Sequence, residues 1–384
     1  MRVAVVTETW RPHVDGVVTR LQHTVEDLTR RGHQVLVVAP TCDESSSGVI
    51  EHRTPGAVVP LIDRARRWGA PDPMLRRHVE RFGPDVVHIV NPVLMGSVAA
   101  CQLRGRYPLV ASLHTDLDAY TSRYRLGLLR PTLRRLTSSV YGRADVVLAT
   151  SPTGVGLVSA LGRRDAVIWP AGIDEHLLDA LTAPAEGGPR THHQPRGSMI
   201  RALCVGRLAR EKDYDVLVPV LRAPGVSSEI SLTFVGDGPD RIRLERRFAG
   251  TAVSFDGVHR GSGLAAYYRQ ADVLIFTSTT DTVGLVLLEA AAAELPIVAV
   301  DTPSTRDALQ DYHRIILVPL RCEPRAWRVA IRSAASMRWE ACAPRSVASW
   351  HASTEVLLDA YATARDRHRE RHRERPRMWA RPRS

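Results

Sequence analysis

MRVAVVTETWRPHVDGVVTRLQHTVEDLTRRGHQVLVVAP, residues 1–40, is the stretch that decides the fold. Arg2 to Thr7 is short, apolar and rich in β-branched residues, which reads as a strand. Val17 to Arg31 places Leu21, Val25 and Leu28 on one helical face. Gly32 ends that helix, and Gln34 to Ala39 is the next strand. Val86 to Val90, Leu109 to Leu113, Val146 to Thr150 and Ala166 to Trp169 continue as strands. Strands alternating with helices imply a parallel, doubly wound α/β sheet.

The rhythm breaks at residues 182–198, TAPAEGGPRTHHQPRGS, whose Pro, Gly and polar residues read as a linker. It restarts with Ala202 to Val205, Ser231 to Val235, Val253 to Phe255, Val273 to Thr277, Ile297 to Val300 and Ile315 to Val318. The chain of 384 residues is therefore expected to hold two Rossmann-like halves, 1–180 and 199–345, joined by 181–198. Ligands are expected at the carboxyl ends of the strands, and a central cleft between the halves is the default site.

Apolar residues make up 44 % and charged residues 24 %, ordinary for a globular protein. No apolar run is long enough to span a bilayer, and the N-terminus begins directly on a strand pattern, so a cytoplasmic location is expected. The five cysteines are scattered and form no CxxC pair, which argues against a disulfide framework or a cysteine metal site. Of the net charge of +11, residues 365–384 carry +6 (nine arginines, three acids), leaving +5 elsewhere. The segment 369–384 reads as a solvated, disordered tail, with anionic lipid or nucleic acid as the alternative partner. Lys212 is the only lysine among 52 basic residues. Against so strong an arginine bias, it marks a position where a compact ammonium is wanted rather than a planar fork.

Three clusters carry chemistry. The loop Glu8 to Gly16 (ETWRPHVDG) ends on a glycine at a helix start, where amides and the helix dipole favour an anion. The second, Gly206-Arg207-Leu208-Ala209-Arg210-Glu211-Lys212, leaves the first strand of the second half. Its two cations, Arg207 and Lys212, suit a diphosphate. The third is Ser278-Thr279-Thr280-Asp281-Thr282-Val283-Gly284-Leu285-Val286-Leu287-Leu288-Glu289-Ala290. Asp281 is expected in the loop after a strand, Gly284 at the start of a helix, and Glu289 inside that helix. A carboxylate among those apolar neighbours needs a partner, and a ribose hydroxyl pair would serve. His114 follows the strand Leu109 to Leu113, at the edge where substrates bind α/β sheets.

Together these clusters resemble the retaining glycosyltransferases of family four, with the GT-B fold. The likeness covers nearly the whole chain. It includes Pro12 to Val17, Pro-Asp-Val-Val-His (84–88), His-Thr-Asp (114–116), Ala-Asp-Val-Val (144–147) and Ala-Gly-Ile-Asp (171–174). It continues through GRLAREK (206–212), VGDGP (235–239), VSFDG (253–257), ADVLIFTS (271–278) and GLVLLEA (284–290). Ser349, Trp350, Leu357 and Tyr361 look like the family's last helix, here 346–368, which crosses back onto the first domain. The resemblance implies an acceptor-binding first domain and a nucleotide-sugar-binding second domain. It implies Gly16 at the β-phosphate and His114 at the transferred sugar. It implies Arg207 and Lys212 at the diphosphate, with Gly206 and Gly236 on the loops that border the donor. It further implies Asp281 at sugar hydroxyls, Glu289 at the ribose, and the amides of Gly284, Leu285 and Val286 at phosphate. No cofactor or metal is implied. Asp116 and Asp118 match the short DxD pattern of metal-dependent glycosyltransferases, but in a two-domain chain of this kind the match reads as incidental.

The chain departs from the family pattern in places. Asp281 stands where Glu is common, Asp213 where Gly follows the lysine, and Ala171 where Asn or Arg is usual. The Thr-Asp-Thr version (280–282) looks like a branch of GDP-mannose-dependent α-mannosyltransferases and sulfoquinovosyl-type glycolipid enzymes. GDP-mannose is the preferred donor, with a UDP-sugar as the alternative. A nucleotide-sugar epimerase, a phosphorylase and a non-catalytic sugar-nucleotide-binding module are the competing readings. The acceptor is a lipid, a polyol or a specialised metabolite. Arg64-Ala65-Arg66-Arg67 and RYRLGLLRPTLRR (123–135) either touch an anionic membrane or are solvated helix faces. No nucleic acid is expected as a partner.

Overall fold

A computed structural model describes residues 1–13, 15–41, 49–59, 63–123, 126–183, 199–337 and 348–379. The chain divides into two compact units, Met1–Pro170 with Trp350–Ser384, and Ala171–Ser349. No helix among the described residues is long and apolar enough to cross a membrane.

The first unit has a seven-stranded parallel sheet. Its strands are β1 (Arg2–Thr7), β2 (Gln34–Ala39), β3 (Val49–Arg53), β6 (Val86–Val90), β7 (Leu109–Leu113), β8 (Val146–Ala149) and β9 (Val167–Ile168). A separate antiparallel hairpin is made by β4 (Gly56–Val59) and β5 (Asp63–Gly69). The sheet order is β3-β2-β1-β6-β7-β8-β9, so the direction of winding reverses between β1 and β6. Strands covered on both faces read as continuous apolar runs, and β1, β2, β6, β7 and β8 are almost wholly buried. Val3, Val5, Leu21, Val25 and Leu28 pack on one face, and Ala4, Val6, Leu75, Val79 and Met95 on the other.

The second unit has six parallel strands: β10 (Ile200–Val205), β11 (Ile230–Val235), β12 (Val253–Gly257), β13 (Val273–Phe276), β14 (Ile297–Val300) and β15 (Ile315–Val318). Their order is β12-β11-β10-β13-β14-β15, with the same kind of reversal between β10 and β13. Phe234 stacks on Phe255 at 4.9 Å and meets Tyr214 edge-on at 5.0 Å in its core.

Two expected boundaries differ from the structure. The first half was expected to run to residue 180, yet the second unit begins at Ala171. The reason lies in the packing of the helix Glu175–Thr182. Arg269, from the helix Gly261–Gln270, donates to the carbonyls of Ala180 and Ala183, and Ile173 N donates to Ala348 O. Most of the expected linker, 184–198, lies outside the described residues.

The expected tail is also different. The last helix runs from Trp350 to Trp379, through most of the segment read as disordered. Leu357, Ala360, Tyr361 and Ala364, at helical spacing, bury against Val3, Val5 and Trp169. Further along, Arg367 donates to Asp145 O at 2.8 Å and pairs with Asp165, Arg371 pairs with Asp145, and His372 meets Gly105 O at 3.0 Å. The arginines up to this point therefore have protein acceptors within the first unit. Arg64 to Arg67 differ too: they lie on a strand, β5, and not on a helix face.

Candidate functional site

In a doubly wound sheet, the loops leaving neighbouring strands part company where the strand order reverses, and a crevice opens there. In the second unit those strands are β10 and β13, so the reversal brings residues 206–213 beside residues 277–284. Lys212 Nζ donates to both oxygens of Asp281, at 2.9 and 2.7 Å. The two residues lie 69 positions apart in the chain. Arg207 Nη1 donates to Glu211 Oε1 at 3.1 Å, one helical turn along the same loop.

The hydroxyls after β13 stitch the two loops together. Thr277 Oγ1 donates to Lys212 O at 2.5 Å, and Ser278 and Thr280 donate to Glu211 O at 3.4 Å. Thr279 Oγ1 donates to Asp213 Oδ2 at 2.9 Å. Asp213 has φ 56°, the left-handed region, which explains why glycine suits this position and why aspartate is accepted. Its carboxylate gains a hydroxyl partner that glycine would lack. Sequence reasoning missed the role of this Ser-Thr-Thr run. Its signal was a series of small hydroxyls directly after an apolar strand.

Gly236 shows why the loop after β11 needs a glycine. Its φ is 144°, and a Cβ there would stand 2.0 Å from Gly206 O. The backbones of the β10 and β11 exit loops thus touch, with Leu208 N donating to Asp237 O at 2.9 Å. Gly284 is the second such position. Its φ is 67°, and a Cβ would press on Leu287 and Phe276 at 3.0 and 3.1 Å. Gly284 caps the helix Leu285–Ala292 with no side-chain hydrogen bond to its first amides. A helix start left uncapped by a side chain suits an anion.

Glu289 lies in that helix, as expected, but its observed partner is a phenol. Tyr268 Oη donates to Glu289 Oε2 at 2.6 Å, and Tyr268 is fully buried. Burial pushes the Glu289 carboxyl above its ordinary value; the Tyr268 bond opposes this and Asp174 adds to it. Tyr268 was not legible as a site residue, because an aromatic in an amphipathic helix reads as core.

In the first unit, Gly16 and His114 stand after the carboxyl ends of β1 and β7, two positions apart in the sheet order. Gly16 opens the helix Gly16–Arg30, whose first amides are not left to an incoming anion alone. Asp15 Oδ1 accepts from Val17 N and Val18 N, both at 2.9 Å. His114 is 8 % exposed and packs edge-on against Trp169 at 5.5 Å. Its Nε2 is 2.8 Å from Ser112 Oγ, which is 2.9 Å from His88 Nε2. Burial holds His114 well below the ordinary imidazole value, with the Arg20 guanidinium and His88 adding to the effect.

The DxD aspartates have other work. Asp116 Oδ1 accepts from the amides of Asp118 and Ala119, and Asp118 pairs with Arg130 at 2.8 Å and Arg134 at 3.1 Å. Among the described residues no group of His, Cys, Asp and Glu is arranged to hold a metal ion.

One buried acid escaped the sequence reading. Glu8 is 4 % exposed, and its Oε1 accepts from Val93 N and Gly96 N, both at 2.9 Å, at the start of the helix Met95–Leu103. Burial raises its carboxyl to about 7 against those amide bonds. The signal was present: a lone acid directly after an apolar strand.

Comparison with known proteins matches residues 14–177 to the family model described as Glycosyltransferase Family 4, and residues 200–336 to Glycosyl transferases group 1. The GDP-mannose-dependent alpha-mannosyltransferase of Mycolicibacterium smegmatis is 33 % identical over 80 % of this chain and 81 % of its own. The alpha-monoglucosyldiacylglycerol synthase of Acholeplasma laidlawii is 27 % identical over 78 % and 80 %. Among solved structures, Anabaena HepE in complex with UDP-glucose superposes with a TM-score of 0.64 at 16 % identity, covering 97 % of this chain and all of that one. With two Rossmann-like units and a relative of this identity across four-fifths of both chains, the protein belongs to glycosyltransferase family 4 and is a glycosyltransferase of the GT-B fold.

Proposed function

We propose that the chain transfers mannose from GDP-mannose to an acceptor carried on a lipid, with retention of anomeric configuration and without a metal ion. The observation that carries this reading is the Lys212–Asp281 pair at the strand-order reversal of the second unit. When the donor binds, the ammonium exchanges its carboxylate for the diphosphate, which releases Asp281 to accept from sugar hydroxyls. Arg207 and the amides of Gly284 to Val286 add positive potential where charge develops on the leaving diphosphate. Glu289, held by Tyr268, accepts from the ribose hydroxyls. His114 donates to a hydroxyl of the transferred sugar, and the leaving phosphate takes the acceptor's proton. Asp116 and Asp118, engaged in a helix start and an arginine pair, leave charge neutralisation to these groups.

The donor is inferred from the mycobacterial relative, named for GDP-mannose. The lipid acceptor is supported by the Acholeplasma relative, named for a glucosyldiacylglycerol. It is also supported by a surface of the first unit where Leu128 is 98 % exposed and Leu129 is 52 % exposed, beside Arg130, Arg134 and Arg135. Apolar tips among arginines suit an anionic bilayer. A glucosyl donor is the second reading, favoured by the glucosyl group in the name of that same Acholeplasma relative, and UDP is the carrier to test for it.

The test is transfer of radiolabel from GDP-mannose or UDP-glucose into the organic phase, using vesicles of bacterial lipid extract. Label extracted from GDP-mannose alone is the expected result. Label from UDP-glucose alone would replace the donor, and label that stays in the aqueous phase with both would overturn the lipid acceptor.

A further inference from the structure

Four buried side chains of the first unit form one unbroken hydrogen-bond array. Tyr361 Oη lies 2.9 Å from His88 Nδ1, His88 Nε2 lies 2.9 Å from Ser112 Oγ, and Ser112 Oγ lies 2.8 Å from His114 Nε2. Tyr361 and Ser112 are wholly buried and His88 is 1 % exposed, so water does not relieve a mismatch. Trp169 packs against both imidazoles, at 5.6 and 5.5 Å. Burial holds both imidazoles below their ordinary value, and the Arg20 guanidinium, which lies over the same indole at 4.5 Å, adds to this, so both rings are neutral.

A neutral imidazole has one donor and one acceptor nitrogen, and a hydroxyl has one hydrogen to give. Suppose His114 Nε2 donated to Ser112. Ser112 would then donate to His88 Nε2, and His88 Nδ1 would donate to Tyr361. The phenol hydrogen would be left over, and among the described residues Tyr361 Oη has no second partner to receive it. If both rings donated to Ser112, the serine hydrogen would be stranded instead. A buried hydroxyl donor left without an acceptor loses its hydration with nothing in return. The opposite direction strands nothing but a lone pair. Tyr361 donates to His88 Nδ1, His88 Nε2 donates to Ser112 Oγ, and Ser112 donates to His114 Nε2.

We infer that Ser112, His88 and Tyr361 are positioning residues that lock His114 as a neutral imidazole protonated on Nδ1. In that form Nε2 is occupied by the serine and Nδ1 gives a hydrogen bond rather than taking a proton. His114 thus binds a sugar oxygen as a donor and is not the base for the acceptor, a role that rests on the transferase reading above. The backbone assists: His114 N donates to Asn91 Oδ1 at 3.3 Å.

The assignment is tested on the protein without substrate, labelled with 15N-histidine, by two-bond proton–nitrogen correlation. His114 and His88 signals are identified by their loss in His114→Ala and His88→Asn. The expected spectrum shows opposite tautomers, Nδ1–H at His114 and Nε2–H at His88. An Nε2–H tautomer at His114, or a cationic ring, overturns the proposal. In the transfer assay, Ser112→Ala is expected to lower kcat about tenfold with the donor KM within about twofold, and Ser112→Thr to restore most of it. Unchanged kcat in Ser112→Ala also overturns it. If no donor turns over, the array still stands or falls on the spectra, so its failure is separable from that of the transferase reading.

Discussion

At Lys212 the ammonium is shared between both oxygens of Asp281, with the two side chains 22 % and 24 % exposed. A partly buried pair of this kind contributes on the order of 1 kcal/mol to stability. In the function proposed above, its value lies in placing a cation and a carboxylate side by side before the donor arrives. Lys212→Ala is therefore expected to lower kcat about 10²–10³-fold, the range for removal of one charge-stabilising donor, with the melting temperature nearly unchanged. Steady-state kinetics beside a thermal melt check this, and full activity in a folded variant would refute the role. The sole lysine of an arginine-rich chain was legible as unusual, and so was Asp281. Their direct pairing was not, because it depends on two loops far apart in sequence. Asp213 is similar: a departure from glycine in the sequence, it becomes intelligible through its left-handed backbone and the Thr279 hydroxyl.

The elements differ at their ends more than in their runs. The helix Gly16–Arg30 is capped by Asp15, whereas Leu285–Ala292 starts on Gly284 with no side-chain cap. The second is therefore the more open anion site, although both read from sequence as a glycine before a helix. A third helix start, at Met95, is tied to the end of β1 by Glu8. The Glu8 carboxyl sits at about 7 when folded against an ordinary 4.5, so the folded state holds the extra proton between those values. Stability from this group is accordingly greatest below the ordinary value and falls as pH rises towards 7. The gap corresponds to about 3 kcal/mol. Glu8→Gln keeps an oxygen for both amides and removes the charge. Its unfolding free energy relative to the parent is expected to rise by up to that amount between pH 5 and pH 8, measured by urea titration. A constant difference across that range would show that the Glu8 carboxyl does not titrate there.

Across the whole molecule, the strand–helix rhythm made both sheets legible, since buried parallel strands leave continuous apolar runs in the sequence. The unit boundary was not, because composition marks the Pro- and Gly-rich stretch, whereas packing of the helix Glu175–Thr182 decides which unit it joins. The arginine-rich end misled for a related reason. Charge density suggested solvation, yet carbonyls and aspartates of the first unit accept from Arg367 and Arg371. The clusters at residues 206–212 and 278–290 stood out as candidates by residue type, but the partners that hold Glu289, Lys212 and Asp213 in place, Tyr268, Thr277 and Thr279, emerged only from the fold. The most direct measurement is calorimetric titration of GDP and UDP into the intact protein and into Lys212→Ala. The account predicts one site for a nucleoside diphosphate, with GDP the tighter ligand and affinity weakened at least about tenfold by the substitution, as expected for a lost charged contact. Absence of binding by either nucleotide to the folded protein, or equal binding by the variant, would contradict it.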